Sequence, residues 1–480
     1  MELYSKSKNY KLYQGNMLDM LEEIEENSID AIVTDPPYEL NFMGKGWDNA
    51  GVSFNKETWK KCLDVLKPGG YLLAFGGSRT FHRIACAIED AGFEIRDTIM
   101  WLYGSGFPKS MNIGLAIDKK NGVESPVVGQ NEDILKKQAK DIREGHRKIM
   151  DSYNQGAEDR NNGFKTVSAD IKEAQNEWQG WGTCLKPAFE PIIMARKPFK
   201  GSLVDNVIEN GVGGLNVDEC RVPAKPGEYD IRHYTNEDCF QNLKPKKSQF
   251  QVKPQPSGRF PANLILTYDE EDKDEVCNGF PYTKSTGGSG EASKINTFKN
   301  TYNGGWEHNK ECSNLGGLGD EGSAARYFYC AKASKKDRDE GLDNFVTKTK
   351  VFNGKSDKSS TDIKDVEQRF TTQAKNIHPT VKPTELMQYL VRLVAPKGAT
   401  ILDPFNGSGS TGKAVMYENK EREVNYKYIG IELTEEYLPI SKARLDFVCG
   451  SIEQTDITDT TNTPEEEIWN QIKNVLDIKE

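Results

Sequence analysis

Apolar positions along the first hundred residues follow two alternating rhythms. Tyr10-Lys11-Leu12-Tyr13 alternates with period two, as a strand does, and Met17, Leu18, Leu21 and Ile24 then recur at helical spacing as far as Glu26. Ile29 to Thr34 is an apolar run long enough for one strand buried on both faces. The same logic predicts a helix over 56–66 ended by Pro68-Gly69-Gly70, a strand over 71–75, a helix over 81–91 ended by Gly92, and a strand over 93–103. Strands alternating with helices imply an α/β fold with a mostly parallel sheet covered on both sides.

Periodicity then fails. Residues 119–182 are dominated by Lys, Asp, Glu, Gln and Asn and read as a solvated helical insertion, with helices expected near 134–150 and 168–178. Core-like sequence returns within 183–200, where Phe189 to Lys197 reads as a strand ended by Pro198. From 201 to 375 the chain is rich in Gly, Asn, Ser and Lys, with short apolar pieces at 262–266 and 326–330; so much irregular sequence is expected to form a separate, loop-rich module. Regular patterning resumes over 376–450, with a helix over 385–394, a strand over 400–403, a helix over 409–417 and a strand over 428–432. The division expected is therefore 1–118, 119–182, 183–200, 201–375, 376–450 and a tail over 451–480, without internal repeats.

Charge changes this picture in one respect. The chain of 480 residues carries a formal net charge of −10, which seen alone disfavours a nucleic-acid partner. The tail holds eight acidic and two basic side chains, so residues 1–450 carry only −4. Lys244, Lys246, Lys247, Lys253 and Arg259 form a local basic stretch beside Phe250 and Phe260, and phosphate binding depends on such patches, not on the total. No apolar stretch reaches the ~18 residues of a membrane span, and the first residues lack the apolar core of a secretory signal, so a cytoplasmic protein is expected. Nine scattered cysteines without a Cys-x-x-Cys pair predict reduced thiols and no metal site.

Two segments carry chemistry. Asp35-Pro36-Pro37-Tyr38 closes the first buried strand and offers an extruded, amino-bearing base a carboxylate, a carbonyl and an aromatic face. An exocyclic amine is a poor nucleophile because its lone pair is delocalised into the ring; Asp35 can accept one amino hydrogen, the Pro36 carbonyl another, and Tyr38 can stack. The second segment, Thr400 to Gly409, reads as strand, glycine loop and helix start, where backbone N–H groups approach a ligand closely. Gly407-x-Gly409-x-x-Gly412 followed by Glu432 at the end of the next strand also fits dinucleotide spacing, and a tight turn of purely structural purpose fits it too. Asp403, which can hold an ammonium group, and Phe405, which can lie against an adenine or a sulfonium, favour S-adenosylmethionine.

With both segments in place, the chain resembles the DNA adenine-N6/cytosine-N4 methyltransferase family, in the circularly permuted beta class, where the catalytic turn precedes the cofactor loop. His378-Pro379-Thr380-x-Lys382-Pro383, Gly430-Ile431-Glu432 and Lys186 through Pro198 are similar to further elements of phage-type and restriction-associated members. The resemblance covers about 10–118, 183–200 and 376–447. It implies a Rossmann-like, class I methyltransferase sheet of seven strands, mostly parallel and cut so that Tyr10 to Gln14 pairs beside Tyr428 to Glu432. It implies catalysis by Asp35, Pro36, Pro37 and Tyr38. Asn16, Asp35, Lys382, Asp403, Phe405, Asn406, Gly407, Ser408, Gly409, Thr411 and Glu432 would bind S-adenosyl-L-methionine, although members often carry an acid where this chain has Asn16. Double-stranded DNA is the implied partner, read by an insertion over 201–375 in which Arg221, Arg232, Lys246, Lys247, Arg259 and Arg326 are candidate contacts; a homodimer and a cognate restriction endonuclease are open. An Asp at the head of the catalytic turn is the pattern usual for adenine and Ser for cytosine N4, so adenine is favoured. A DNA-binding protein that has kept the fold without turnover is the alternative from another class.

Overall fold

The computed structural model describes residues 2–40, 51–103, 110–132, 135, 170–222, 258–269, 280–284, 321–333, 335–345, 348–353 and 369–450. Among the described residues, ten strands form the main sheet: β1 (Glu2–Lys6), β2 (Tyr10–Gln14), β3 (Ile29–Thr34), β4 (Leu66–Phe75), β5 (Glu94–Tyr103), β6 (Phe189–Arg196), β7 (Leu264–Asp269), β8 (Tyr329–Ala333), β9 (Thr400–Asp403) and β10 (Lys427–Glu432). Their order is β1-β2-β10-β9-β3-β4-β6-β5-β7-β8. Only β1 and β6 run antiparallel to their neighbours.

The apolar runs decide the layers. In β3, Ala31 and Val33 point to one face and Ile32 to the other, as period-two geometry requires. On the Ile32 side lie α1 (Met17–Leu21), α2 (Lys56–Val65) and α3 (Phe81–Asp90). On the opposite side lie α7 (Thr384–Val394), α8 (Ser410–Arg422) and α9 (Leu438–Cys449). Between these groups in the chain come α4 (Ile113–Asn121), α5 (Leu203–Asn210) and the short α6 (Lys335–Asp339). Asn55 caps α2 by accepting the Glu57 N–H, and Ser202 caps α5 through the Asp205 N–H. No helix among the described residues is long and apolar enough to cross a membrane.

The expected junction between the two ends of the chain is present: Tyr10 to Gln14 pair in parallel, residue for residue, with Tyr428 to Glu432. Three expectations need correction. The sheet has ten strands, not seven, because β1 extends one edge and β7 and β8 the other. The latter two lie within 201–375 and pair in parallel with β5 and with each other, so at least this part of the loop-rich stretch belongs to the core sheet. The helix expected near 168–178 is not seen over 170–178; Asp170–Lys172 instead pairs antiparallel with Val127–Gln130, a two-stranded ribbon whose residues are almost all exposed, so no apolar helix face is buried there. The helix expected near 134–150 and the acidic tail lie outside the described residues.

Candidate functional site

β3 and β9 are adjacent, with Ile401 beside Ala31 and Leu402 beside Ile32, and both chains leave the sheet at their carboxyl ends. That places the turn after Thr34 next to the loop after Asp403 at the edge where open α/β sheets bind ligands. The Thr34 hydroxyl donates to Asp403 Oδ1 at 2.7 Å across 369 sequence positions. Around this junction opens one cleft of ≈ 1490 Å³, lined from both ends of the chain by Asp35 to Tyr38, 183–190, 378–382, Asp403 to Ser408 and Glu432.

The Asp35-Pro36-Pro37-Tyr38 turn is tied down by hydrogen bonds. Ser53 Oγ donates to the Pro37 carbonyl at 2.6 Å, and the Trp59 indole N–H donates to the Ser53 carbonyl at 2.9 Å. Asp35 Oδ2 accepts from Lys382 Nζ at 2.6 Å, and its Oδ1 lies 2.9 Å from the Tyr38 hydroxyl. That hydroxyl is also 2.7 Å from Glu190 Oε2, which stands 3.4 Å from Lys382 Nζ. Lys382 is only 5% exposed, and its ammonium faces the rings of Tyr38, Phe75 and Trp101 at 5.4, 5.0 and 6.0 Å. Burial works to lower its pKa, but Asp35 and Glu190 outweigh that and hold it above the ordinary lysine value. Burial, then the charges of Asp35 and Glu190, push the Tyr38 phenol well above its usual range, so it stays protonated. Burial and the Glu190 charge likewise raise Tyr103 to about 12.

On the opposite wall of the cleft, Asp403 is 2% exposed and its pKa is pushed up to about 6, chiefly by burial, while hydrogen bonds from the Thr34 hydroxyl and the Phe405 N–H oppose the shift. Glu432 is raised by burial as well, against the backbone N–H groups of Thr434 at 2.7 Å and Gly407 at 2.6 Å. Gly407 has φ +52°, and a Cβ there would stand 2.8 Å from His378 Nε2. The His378 ring in turn packs edge-on against Tyr437, with Nδ1 2.8 Å from the Thr380 carbonyl. Phe405 lies on the cleft wall, tilted against Trp59 at 6.4 Å.

Not every predicted residue presents its side chain to the cleft. Asn406 is turned inward, bonded to Tyr428, Ser441 and the Gly407 carbonyl, and so stiffens the loop. Ser408 Oγ accepts from the buried Arg444, and Thr411 Oγ1 donates to the Val33 carbonyl at 3.3 Å, tying α8 to β3. Gly409 does not line the cleft; its φ is +74° and a Cβ there would collide with Ser441 Oγ, so the missing side chain lets α8 start beneath α9. Asn16 lines the cleft while its Oδ1 caps α1 through the Leu18 N–H.

The DNA-contact candidates divide. Arg221 Nε lies 3.0 Å from Asp218 and its Nη1 3.3 Å from the Gly258 carbonyl, with Phe260 beneath the guanidinium; it ties two loops together. Arg259 exchanges backbone hydrogen bonds with Val222. Neither lines the cleft. Arg232, Lys246 and Lys247 lie outside the described residues, as does the side chain of Arg326.

Two groups escaped sequence reasoning. Glu190, from the antiparallel β6, enters the Asp35 cluster only because β6 pairs with β4. The second is the segment holding α6. Asp337 accepts from Thr384 N–H at 2.8 Å and Thr384 Oγ1 at 2.5 Å, capping α7 from a distance, and it pairs with the fully buried Lys413 at 2.5 Å. Arg338 donates to the His378 carbonyl at 2.9 Å.

Residues 29–443 match the profile of the N6_N4_Mtase family, described as DNA methylase. Among characterised relatives, Type II methyltransferase M.HpaI of Haemophilus parainfluenzae is 37% identical over 107 residues, 21% of this chain and 34% of that protein. M.HindIII of Haemophilus influenzae is 21% identical over 247 residues, 43% of this chain and 64% of its own. M2.LlaDCHI of Lactococcus lactis subsp. cremoris is 24% identical over 238 residues, 44% and 81%. The chain thus spans about a third of M.HpaI and just under two thirds of M.HindIII. Among solved structures, the cytosine-N4-specific PvuII DNA methyltransferase aligns over 100% of this chain and 98% of its own at 13% identity, with a TM-score of 0.37. The M1.HpyAVI-SAM complex aligns over 91% and 99% at 14% identity, with a TM-score of 0.33.

Proposed function

Because the chain belongs to the N6/N4 DNA methylase family, we propose that it is a DNA amino-methyltransferase, with the N6 of adenine as target and S-adenosyl-L-methionine as methyl donor. The observation that carries this reading is the single cleft in which the Asp35 turn and the Gly407 loop meet, bridged by the Lys382–Asp35 contact. The pairing of β2 with β10 supports membership of the permuted beta class.

The residues present fit the donor. Asp403 and Glu432 are buried carboxylates with raised pKa values, kept at a cleft wall where a cationic ligand would satisfy them, and Phe405 and Tyr38 add aromatic faces. Asp403 would hold the ammonium, Glu432 the ribose hydroxyls, and the Gly407 bend would let the backbone approach. Once bound, S-adenosylmethionine supplies an electrophilic methyl group. Asp35 then accepts a hydrogen of the target amine, which raises the availability of the nitrogen lone pair, and receives the proton that the nitrogen sheds on alkylation. The Pro36 carbonyl is the second acceptor and the fixed turn keeps both aligned. Duplex DNA reaches such a site only with its target base extruded, because the amine of a stacked, paired base is not accessible to it. Adenine is favoured by the Asp at the head of the turn.

Incubation with labelled S-adenosylmethionine and genomic DNA from a methylation-deficient strain tests the reading. Label should appear in DNA as N6-methyladenine, and long-read sequencing of DNA from cells expressing the chain should show the site. N4-methylcytosine would overturn the choice of base; label in RNA or protein would overturn the substrate class. DNA binding without any transfer would mark a silent binding protein.

A further inference from the structure

Two carboxylates compete for the same two donors. The Tyr38 hydroxyl carries one proton yet lies 2.9 Å from Asp35 Oδ1 and 2.7 Å from Glu190 Oε2, so it donates to one of them at a time. Lys382 Nζ touches Asp35 Oδ2 at 2.6 Å and has Glu190 Oε2 only 3.4 Å away. Rings of Tyr38, Phe75 and Trp101 enclose the ammonium, so its open course is between the carboxylates, not toward solvent. A charge-assisted N–H···O contact of about 2.8 Å to Glu190 would need a shift of well under 1 Å.

The shift matters to Asp35. With an ammonium on one oxygen and a phenol on the other, its carboxylate is largely neutralised as an acceptor for an amine hydrogen. With both donors on Glu190, the negative charge is available where the nitrogen needs it. Glu190 is suited to receive them because it pairs with Trp101 of β5 while the adjacent Pro191 carbonyl accepts from the Gly76 N–H at 2.9 Å, which fixes the backbone on both sides.

We propose that Glu190 is a positioning residue, the second dock of a two-position switch to which Lys382 and Tyr38 transfer when a base enters, releasing Asp35 to accept the amine. This rests on the methyltransferase reading for its purpose, and on the Glu190–Lys382–Asp35 geometry for its existence.

A crystal structure of Asp35→Asn without DNA tests the existence of the second dock. Removal of the competing charge should bring Lys382 Nζ to about 2.8 Å from Glu190; an ammonium that stays at 3.4 Å or turns elsewhere overturns the proposal. Its purpose is tested by Glu190→Gln with labelled donor and methylation-deficient genomic DNA. We expect kcat to fall at least about tenfold, donor affinity by calorimetry to stay within about twofold, and Glu190→Asp to recover part of the rate. Wild-type kcat in Glu190→Gln, or a loss of donor affinity equal to the loss of rate, would refute the switch and leave a structural role. If the wild-type chain transfers no label to DNA, the functional reading fails while the Asp35→Asn structure still decides whether the second dock is real.

Discussion

Asp403 should be a site where the fold gives up stability to keep a charge. Its carboxyl is 2% exposed and titrates near 6 in the folded chain against 3.8 for the free side chain, burial being the main cause. Folding therefore favours the protonated form. The stabilisation from binding that proton is complete below about pH 4 and is lost as the pH rises through about 6. A shift of about two units corresponds to about 3 kcal/mol of native-state cost above pH 6. Asp403→Asn keeps an acceptor for the Thr34 hydroxyl and the Phe405 N–H and removes the charge. In urea titrations the variant should be more stable than the parent at pH 8, by up to about 3 kcal/mol. The gap should close as the pH approaches 4. Donor affinity, measured by calorimetry at pH 8, should meanwhile fall. A gap of the same size at pH 4.5 and pH 8, or none at pH 8, would show that burial of the Asp403 charge is not the source.

Asp35→Ala should abolish methyl transfer while leaving folding and DNA binding largely intact; turnover in that variant would rule out the assigned role. Gly407→Val places a branched side chain against His378 at positive φ, so calorimetry should find donor binding lost, and wild-type affinity would contradict the loop assignment. Asp337→Ala leaves the buried Lys413 with Glu340 at 2.8 Å and the carbonyl of residue 337 at 3.0 Å and removes the carboxylate that caps α7, which should cost about 3 kcal/mol in urea unfolding. Leu185 is 91% exposed and lines the cleft, and a side chain that fills the gap left by an extruded base would act as a wedge. Leu185→Ala should lower kcat/KM on intact duplex DNA more than on DNA whose target base is already mispaired; equal effects would argue against a wedge.

What is legible in the sequence tracks how local the cause is. β3, β9 and β10 are short, mostly apolar runs bounded by turns, and each is paired on both sides within the sheet. Helix ends are displaced where tertiary contacts intervene: α1 stops at Leu21, and α8 runs on to Arg422. β4 begins at Leu66 and carries Pro68 and Gly69 into the strand, since the Gly69 N–H bonds to the Lys197 carbonyl outside the ladder. β7 and β8 read as apolar pieces of a separate module, because Gly- and Asn-rich flanks conceal that they join a sheet edge. At the site, the motif residues are legible, but whether a motif side chain faces ligand or props the loop, as Asn406 does, depends on α9 and β10. Glu190 and Asp337 act across more than a hundred positions and more than forty respectively, distances at which spacing carries no signal.

The Thr34–Asp403 contact has a bearing on synthesis. The two halves of the pocket are separated by 369 positions, and the central strand β3 has no neighbour in β9 until the ribosome has made both. At 5 to 20 residues per second the interval is about 20 to 70 s. Throughout that time the Asp35 turn is tethered to an unfinished sheet. A polypeptide that stops short of β9 carries the Asp35 turn without the Asp403 and Gly407 wall of the cleft, so the cleft is complete only after translation has passed Glu432.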